Sequence, residues 1–355
     1  PSSAASDVYK RQGLRPRLEI VCDLSPKRAS QRATDLGFSR YTSSWQDVVN
    51  DPEVKLVSVC TPNDTHAEIA IAALKLGKSV WCEKPMSSNL PDSKKMLAAS
   101  KKSKGKTIIG YNYTKNPAVL HARELIETGV IGDVAGFFCR YDVDNEADKK
   151  RPWSWRMSRK ASGTGANGDI LSHVISVAHF LVGSTISKVV GDINIVHLKR
   201  KDPTNRKQTK TVDNDDMISA LIHFQNGVHG HIGASRVTWG KKCGLTWEVH
   251  GTEGTIIFDQ ERLNEIKLFT RQKKKSTDGF RTILTGPDHP FYKSFLPNGG
   301  HSLGFMDVKM CELQMLLFAI EHDTETWPNF ESGYEIEKVM DAVDRSALSG
   351  KWIKI

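Results

Sequence analysis

At 355 residues, with 39% hydrophobic and 26% charged side chains, the chain is long enough for two domains with sizeable cores and is ordinary in composition for a globular protein. No apolar run approaches the roughly 18 residues of a membrane-spanning helix, so no membrane span is expected. The net charge of +9 does not point to nucleic acid, because the excess comes largely from residues 199–210 and 271–275, which lack interleaved aromatics and read as solvated loops.

Residues 1–12 show no periodicity, no apolar core and no amphipathic basic face. They read as a foreign-looking leader and stand outside the fold. Regular structure begins at 17–23, a strand ending on Asp23. Ser25 is a good N-cap with Pro26 behind it, and Gly37 stops that helix. A short helix over 45–49 leads to an apolar strand over 54–60, which breaks at Thr61-Pro62-Asn63. A helix over 65–76 follows, then a buried strand over 78–82 that ends on Glu83-Lys84-Pro85. Proline cannot continue the hydrogen-bond ladder, so the chain leaves the sheet there. A helix over 92–104 and a strand over 107–111 complete the series. Strand and helix alternating at this spacing predict a doubly wound parallel sheet.

Ligands bind such sheets at the carboxyl ends of the strands. Glu83 and Lys84 sit at one such end and Asp23 at another. An acid in Asp23's position accepts hydrogen bonds from the adenosine ribose and favours NAD, while Lys27 and Arg28 leave room for NADP. A glycine-rich phosphate turn belongs roughly 20 residues before Asp23, where only the leader stands. The first βα unit therefore reads as missing, and such a fragment is expected to bind dinucleotide poorly.

Beyond Tyr113 the pattern changes. Asn116-Pro117 caps a helix to about 128, and a strand covers 134–143. Pro152-Trp-Ser-Trp-Arg156 and the glycine-rich 163–168 stretch lead into a buried helix over 169–181. Asp169 opens it, and His173 follows one turn later on the same face, where a carboxylate can orient an imidazole and raise its basicity. A capping Asp beside a core histidine is the alternative reading of that pair. His179 reads as core. Strands at 187–197, 217–224, 228–236, 245–250, 255–258 and 265–270, then helices at 307–321 and 333–348, make an α/β domain with a large, mostly antiparallel open sheet. A sheet face of that size usually meets a partner subunit. The six cysteines are scattered, without a C-x-x-C pair, and read as buried thiols in a reducing, cytoplasmic setting, with no metal site.

Three motifs in this order, Thr61-Pro62-Asn63 through His66, Glu83-Lys84-Pro85, and Gly168-Asp169 with His173, together with the late turn Gly251-Thr-Glu-Gly254, resemble the glucose–fructose oxidoreductase, inositol dehydrogenase and rhizopine-catabolism (Gfo/Idh/MocA) family. Pro152-Trp-Ser-Trp-Arg156 is similar to the branch acting on inositols and on anhydrosugars such as levoglucosan. The resemblance covers everything from Arg17 onward. It implies a Rossmann domain over 13–113, lacking its first βα unit, and a substrate-binding and oligomerisation domain over 114–355 that assembles dimers or tetramers. It also implies roles. Lys84 would hold the reacting hydroxyl, His173 would take its proton and Asp169 would orient His173. Asp23, Asn63, His66 and Glu83 would face NAD, with Cys60, Thr61, Pro62, Lys84, Trp155 and Arg156 beside them. Trp153, Arg156, Lys84, Asp169 and His173 would meet the sugar.

The expected activity is hydride transfer from a secondary hydroxyl of a cyclic polyol or sugar to NAD(P)+, with the cofactor carrying the harder chemistry. The alternative is a catalytically silent regulator that binds dinucleotide and a protein partner. Intact Lys84, Asp169 and His173 speak against it, since a pure binder has no need of all three.

Overall fold

Short apolar runs punctuated by glycine and proline set the order of the first elements. The computed structural model describes residues 16–355. The leader at 1–12 lies outside the described residues, as does the place of a phosphate turn roughly 20 residues ahead of Asp23. β1 (Ile20–Cys22) leads to α1 (Pro26–Leu36), whose N-cap Ser25 accepts from the Arg28 N–H. Next come β2 (Arg40–Thr42), α2 (Trp45–Asn50), β3 (Leu56–Val59), α3 (His66–Lys75), β4 (Ser79–Cys82), α4 (Leu90–Ser100) and β5 (Thr107–Ile109). Every pairing among these strands is parallel. Among the described residues they form two sheets, β1-β2 and β3-β4-β5.

The chain gathers into two compact units. The first takes the described residues to Gly110 together with Glu312–Tyr334, and the second takes Tyr111–Cys311 with Glu335–Ile355. The late segment completes the first unit around β5. The Ile109 N–H donates to Pro328 O at 2.9 Å, the Phe330 N–H donates to Thr107 Oγ1 at 3.2 Å, and the Thr326 hydroxyl donates to Thr107 O. Trp81 Nε1 reaches Glu312 Oε2 at 3.1 Å.

In the second unit Asn116 caps α5 (Pro117–Glu127), its side chain accepting from the Ala118 N–H at 2.9 Å. β6 (Val134–Asp142) is followed by a wide π-helical turn, Asn167–Leu171, that runs into α6 (Ser172–Val182). Gly183, at φ 68°, ends α6 in the left-handed conformation that favours glycine. The remaining strands are β7 (Ile186–Asn194), β8 (Lys199–Lys201), β9 (Thr209–Thr211), β10 (Met217–Phe224), β11 (His229–Ser235), β12 (Gly244–Gly251), β13 (Gly254–Asp259), β14 (Glu265–Thr270) and β15 (Arg281–Leu284). The helices α7 (Phe305–His322) and α8 (Phe330–Ser349), then β16 (Ile353–Lys354), close the chain.

Nine of these strands form one sheet in the order β15-β14-β13-β12-β6-β11-β10-β7-β16. Its pairings are antiparallel except β6 with β11. The period of two sorts the residues of β10: Ile218, Ala220, Ile222 and Phe224 are buried, while Met217 and Leu221 are exposed on the other face. The buried α6 packs on β6 and β11, which explains why apolar residues surround it on nearly all sides.

Two local expectations change. The basic stretch 199–210 is exposed apart from Arg200 and Asp202, as expected, but contains the antiparallel β8–β9 hairpin and is not a plain loop. Arg200 within it is 2% exposed, and its guanidinium donates to Glu146 O and Asp148 O, each at 2.5 Å. The helix expected from Asp169 begins as the π turn and becomes α-helical at Ser172. All six thiols are free, and no described helix is long and apolar enough to cross a membrane.

Candidate active site

In the first unit, the residues singled out by the sequence lie where parallel strands end. Asp23 follows β1. Its carboxylate accepts from the Ser25 N–H at 2.8 Å and from Arg28, with Nε at 3.0 and 3.1 Å and Nη2 at 2.9 Å. The Arg28 guanidinium holds this carboxyl below the usual carboxylate range. Cys60, Thr61 and Pro62 are exposed at the end of β3, with Asn63 half-buried. Thr65 Oγ1 lies 2.7 Å from both Thr61 Oγ1 and Pro62 O, which tightens that turn.

At the end of β4, Glu83 and Lys84 are half-buried. The Glu83 N–H still pairs with Val59 O at 2.9 Å, and the Lys84–Pro85 peptide is cis. His66 is 1% exposed. Its Nδ1 is 3.1 Å from Pro85 O and its Nε2 is 2.8 Å from Thr61 O. The ring thereby staples the β3 and β4 turns together.

In the second unit, Asp169 lies in the π turn and is exposed between buried neighbours. His173, 5% exposed, sits in the first turn of α6. Three tyrosines surround the imidazole, with ring centroids at 4.5 Å for Tyr113, 5.5 Å for Tyr111 and 6.0 Å for Tyr141. The Tyr113 and Tyr141 hydroxyls are 2.8 Å apart, and Cys243 Sγ lies 3.5 and 3.4 Å from them. Burial pushes both phenols well above their usual value, so they remain hydrogen-bond donors throughout the physiological range. The charge of Asp169 contributes to the rise at Tyr113, which makes this ring a neighbour of both Asp169 and His173.

The structure divides the aromatic motif. Trp153 packs on the hairpin: its Nε1 donates to Thr211 O at 3.0 Å, and Lys210 Nζ stands 4.9 Å from its ring. Trp155 and Arg156 pair with each other, the guanidinium 4.6 Å from the indole, and Arg156 is exposed.

Sequence reasoning passed over the tyrosines and the run Asp213-Asn214-Asp215-Asp216. The spacing of Tyr111 and Tyr113 just after β5 and the inward parity of Tyr141 on β6 were available signals. An acidic run ahead of a strand reads as solvated, yet Asn214, Asp215 and Asp216 are all at most 1% exposed. Asn214 Nδ2 donates to Arg156 O at 2.7 Å, and Asp215 accepts from the glycine-rich loop through both carboxylate oxygens.

Comparison with known proteins bears on these arrangements. An oxidoreductase-family model, NAD-binding Rossmann fold, matches residues 3–111, and a GFO/IDH/MocA C-terminal domain model matches residues 119–257. Levoglucosan dehydrogenase of Pseudarthrobacter phenanthrenivorans is 34% identical over 353 residues, 96% of this chain and 90% of that protein. The chain belongs to the Gfo/Idh/MocA oxidoreductase family. The scyllo-inositol 2-dehydrogenase (NAD(+)) of Bacillus subtilis is 29% identical over 261 residues, 72% of this chain and 70% of that one. A solved structure of levoglucosan dehydrogenase in complex with NADH and levoglucosan has a TM-score of 0.95 at 34% identity, covering 99% of this chain and 94% of that chain.

As a member of the family, this oxidoreductase carries an NAD-binding Rossmann domain. The residues present fit that cofactor, since the half-buried Asp23 carboxylate ends β1 where ribose hydroxyls are recognised. Arg28 is committed to that same carboxylate, so a 2′-phosphate would have to draw the guanidinium away from it. Asp23→Ser is therefore expected to weaken NAD binding about 10- to 100-fold, as loss of a charge-assisted hydrogen bond does, and to improve NADP binding by freeing Arg28. Titration of both dinucleotides against tryptophan fluorescence checks this, and an unchanged NAD/NADP ratio would count against it.

Proposed function

We propose that the protein oxidises a secondary hydroxyl of a cyclic polyol or sugar (an inositol, pyranose or anhydrosugar) with NAD as hydride acceptor. Residues 13–113, completed by the returning segment 312–334, serve the dinucleotide, and the rest of 114–355 serves substrate and assembly. The observation that carries the reading is the Asp169–His173 turn, an imidazole that is 5% exposed one helical turn from an exposed carboxylate.

Removing hydride from a carbinol carbon leaves its hydroxyl proton to be taken and its oxygen to be stabilised as negative charge develops. His173 takes the proton at an imidazole nitrogen, Asp169 orients the ring, and the Lys84 ammonium hydrogen-bonds the oxygen. The tyrosine walls exclude water and offer π faces to the imidazolium that forms. Asp23, the Cys60, Thr61, Pro62 and Asn63 turn, His66 and Glu83 hold the dinucleotide or shape its seat. Trp155 and Arg156 are assigned to the dinucleotide as well, and Trp153 and Arg156 to the sugar. NAD, when bound, supplies the hydride acceptor.

The protein assembles as a homodimer or homotetramer through the outer sheet face, where Phe138, Met217 and Leu221 are 43%, 36% and 52% exposed. A cytoplasmic location agrees with six free thiols. Nucleic acid is not a partner in this reading, because the exposed cations of 199–210 lie on a hairpin and in its turn, with Trp153 the aromatic packed on it. The test is NAD reduction, followed at 340 nm or thereabouts, over a panel of inositols, pyranoses and levoglucosan. Slow turnover of at least one is expected. Dinucleotide binding without hydride transfer to any of them would overturn the reading in favour of a silent sensor.

A further inference from the structure

The segment that delivers Asp169 to the site has few bonds of its own to fix it. From Gly163 to Gly168 it contains three glycines (Gly163, Gly165 and Gly168), and glycine loses more conformational freedom on ordering than any other residue. It is ordered by residues from other parts of the chain, among them Asn214, whose Nδ2 donates to Thr164 O at 3.3 Å, and above all by Asp215. Asp215, 0% exposed just ahead of β10, takes three successive main-chain donors. Its Oδ1 accepts from the Gly165 N–H at 2.8 Å, its Oδ2 from the Asn167 N–H at 2.6 Å, and its carbonyl oxygen from the Ala166 N–H at 2.9 Å.

Donors at the start of a helix have no partner within it, and negative charge is favoured there. Asp215 thus caps the π turn from outside. The approach is so close that a Cβ on Gly165 would stand 2.0 Å from Asp215 O, so only glycine fits. The other side of the turn is held by Asn167, whose Nδ2 donates to Met340 O at 3.0 Å and to Asp344 Oδ1 at 3.1 Å on α8. Between these two holds the Asp169 N–H closes back on Gly165 O at 3.1 Å. The widened π geometry leaves Asp169 exposed while Asn167, Gly168, Ile170 and Leu171 are buried. Turns of this kind recur at functional sites because they re-aim one side chain out of a packed helix.

We infer that Asp215 is a positioning residue for the dehydrogenation: it does not touch substrate but fixes the turn that aims Asp169 at its work. The inference rests on the dehydrogenase reading above. Its consequence is that kcat depends on a carboxylate remote from the reacting atoms, as misplacement by about 1 Å can cost 10²-fold.

The test is Asp215→Asn in the full chain. The amide has nearly the same shape, yet its NH2 group would face a backbone N–H where an oxygen now accepts. We expect kcat to fall about 10- to 100-fold with KM for NAD unchanged. The primary isotope effect with carbon-deuterated substrate should rise, because a misaimed site slows hydride transfer itself. Amide exchange over residues 163–171 should quicken. Asn167→Ala, which loosens the same turn from the α8 side and leaves Asp215 in place, should show a smaller version of all three and carries the test if Asp215→Asn does not fold. A merely structural role would lower activity in proportion to the folded fraction and leave the isotope effect unmoved; that result, or kcat within twofold of the parent, overturns the inference. If the parent protein oxidises no polyol, the dehydrogenase reading fails separately. The exchange experiment then still decides whether Asp215 orders the turn: unchanged protection over 163–171 overturns it, and selective loss there upholds it.

Discussion

Lys84→Ala and His173→Ala are each expected to cut kcat by at least two orders of magnitude on whichever polyol the parent protein oxidises. The two losses have different origins. Removing a positioned general base costs about 10²- to 10⁴-fold, because the hydroxyl proton then has no acceptor held in place. Removing a donor aimed at a developing oxyanion costs about 10²- to 10³-fold. His173→Ala should leave NAD affinity intact, since the proposed reading gives the imidazole to the substrate hydroxyl and not to the dinucleotide. Lys84 follows β4 and is assigned to the dinucleotide as well in the proposed reading, so its removal should also raise the NAD dissociation constant. Steady-state rates paired with equilibrium dinucleotide titration separate the two. Normal turnover in both variants would remove these residues from the chemistry altogether.

The largest expected effect on stability is at the buried pair Asp216–Arg236. Arg236 Nε meets Asp216 Oδ1 at 2.7 Å, with side chains 5% and 2% exposed. The rest of the guanidinium is also used: Nη2 donates to Asn214 Oδ1 at 2.8 Å and Nη1 to Arg156 O at 3.4 Å. On the other side, Asp216 Oδ2 accepts from the Val196 and His197 N–H groups at 2.7 and 3.2 Å. Removing one partner leaves an uncompensated charge in a dry interior, which costs about 3–5 kcal/mol. Arg236→Met is expected to lower the unfolding free energy of the second unit, read from urea denaturation, by that amount. Adding Asp216→Leu should restore part of the loss, because the double replacement leaves no orphaned charge. A single-variant loss below about 1 kcal/mol, the range of an exposed ion pair, would show that water reaches the pair.

The parts of this molecule legible in the sequence are those whose chemistry is local. Ser25 and Asn116 cap their helices as helix-start signals imply, and Pro85 ends a strand because proline lacks an N–H. Asp23 and Lys84 could be placed at strand ends by counting alternating elements, and β10 and β14 have the bounds that their apolar alternation suggests. What stayed hidden depends on partners far along the chain. The Asp213 to Asp216 run looks solvated by composition, and only the fold supplies the N–H groups and the Arg236 that justify burying it. Tyr113 and Tyr141 meet across 28 residues, and neither neighbourhood announces the other. The π turn at Asp169 is held by partners distant in sequence, Asp215 on one side and, through Asn167, Met340 and Asp344 on the other. Arg200 is buried within an otherwise exposed basic stretch for the same reason, since its acceptors Glu146 O and Asp148 O lie more than 50 positions earlier.

The return of Glu312–Tyr334 to the first unit bears on how the protein is made. A ribosome releases β5 long before it releases the segment that seals it: Thr326, which bonds the Thr107 carbonyl, is 219 positions downstream. Until then the emerging half exposes a bare, apolar strand margin, the kind of template on which nascent chains stick to one another. Synthesis of this enzyme should therefore lean on chaperones until its last tenth appears, and cutting the gene after Gly110 should yield inclusion bodies in place of a free-standing nucleotide-binding half.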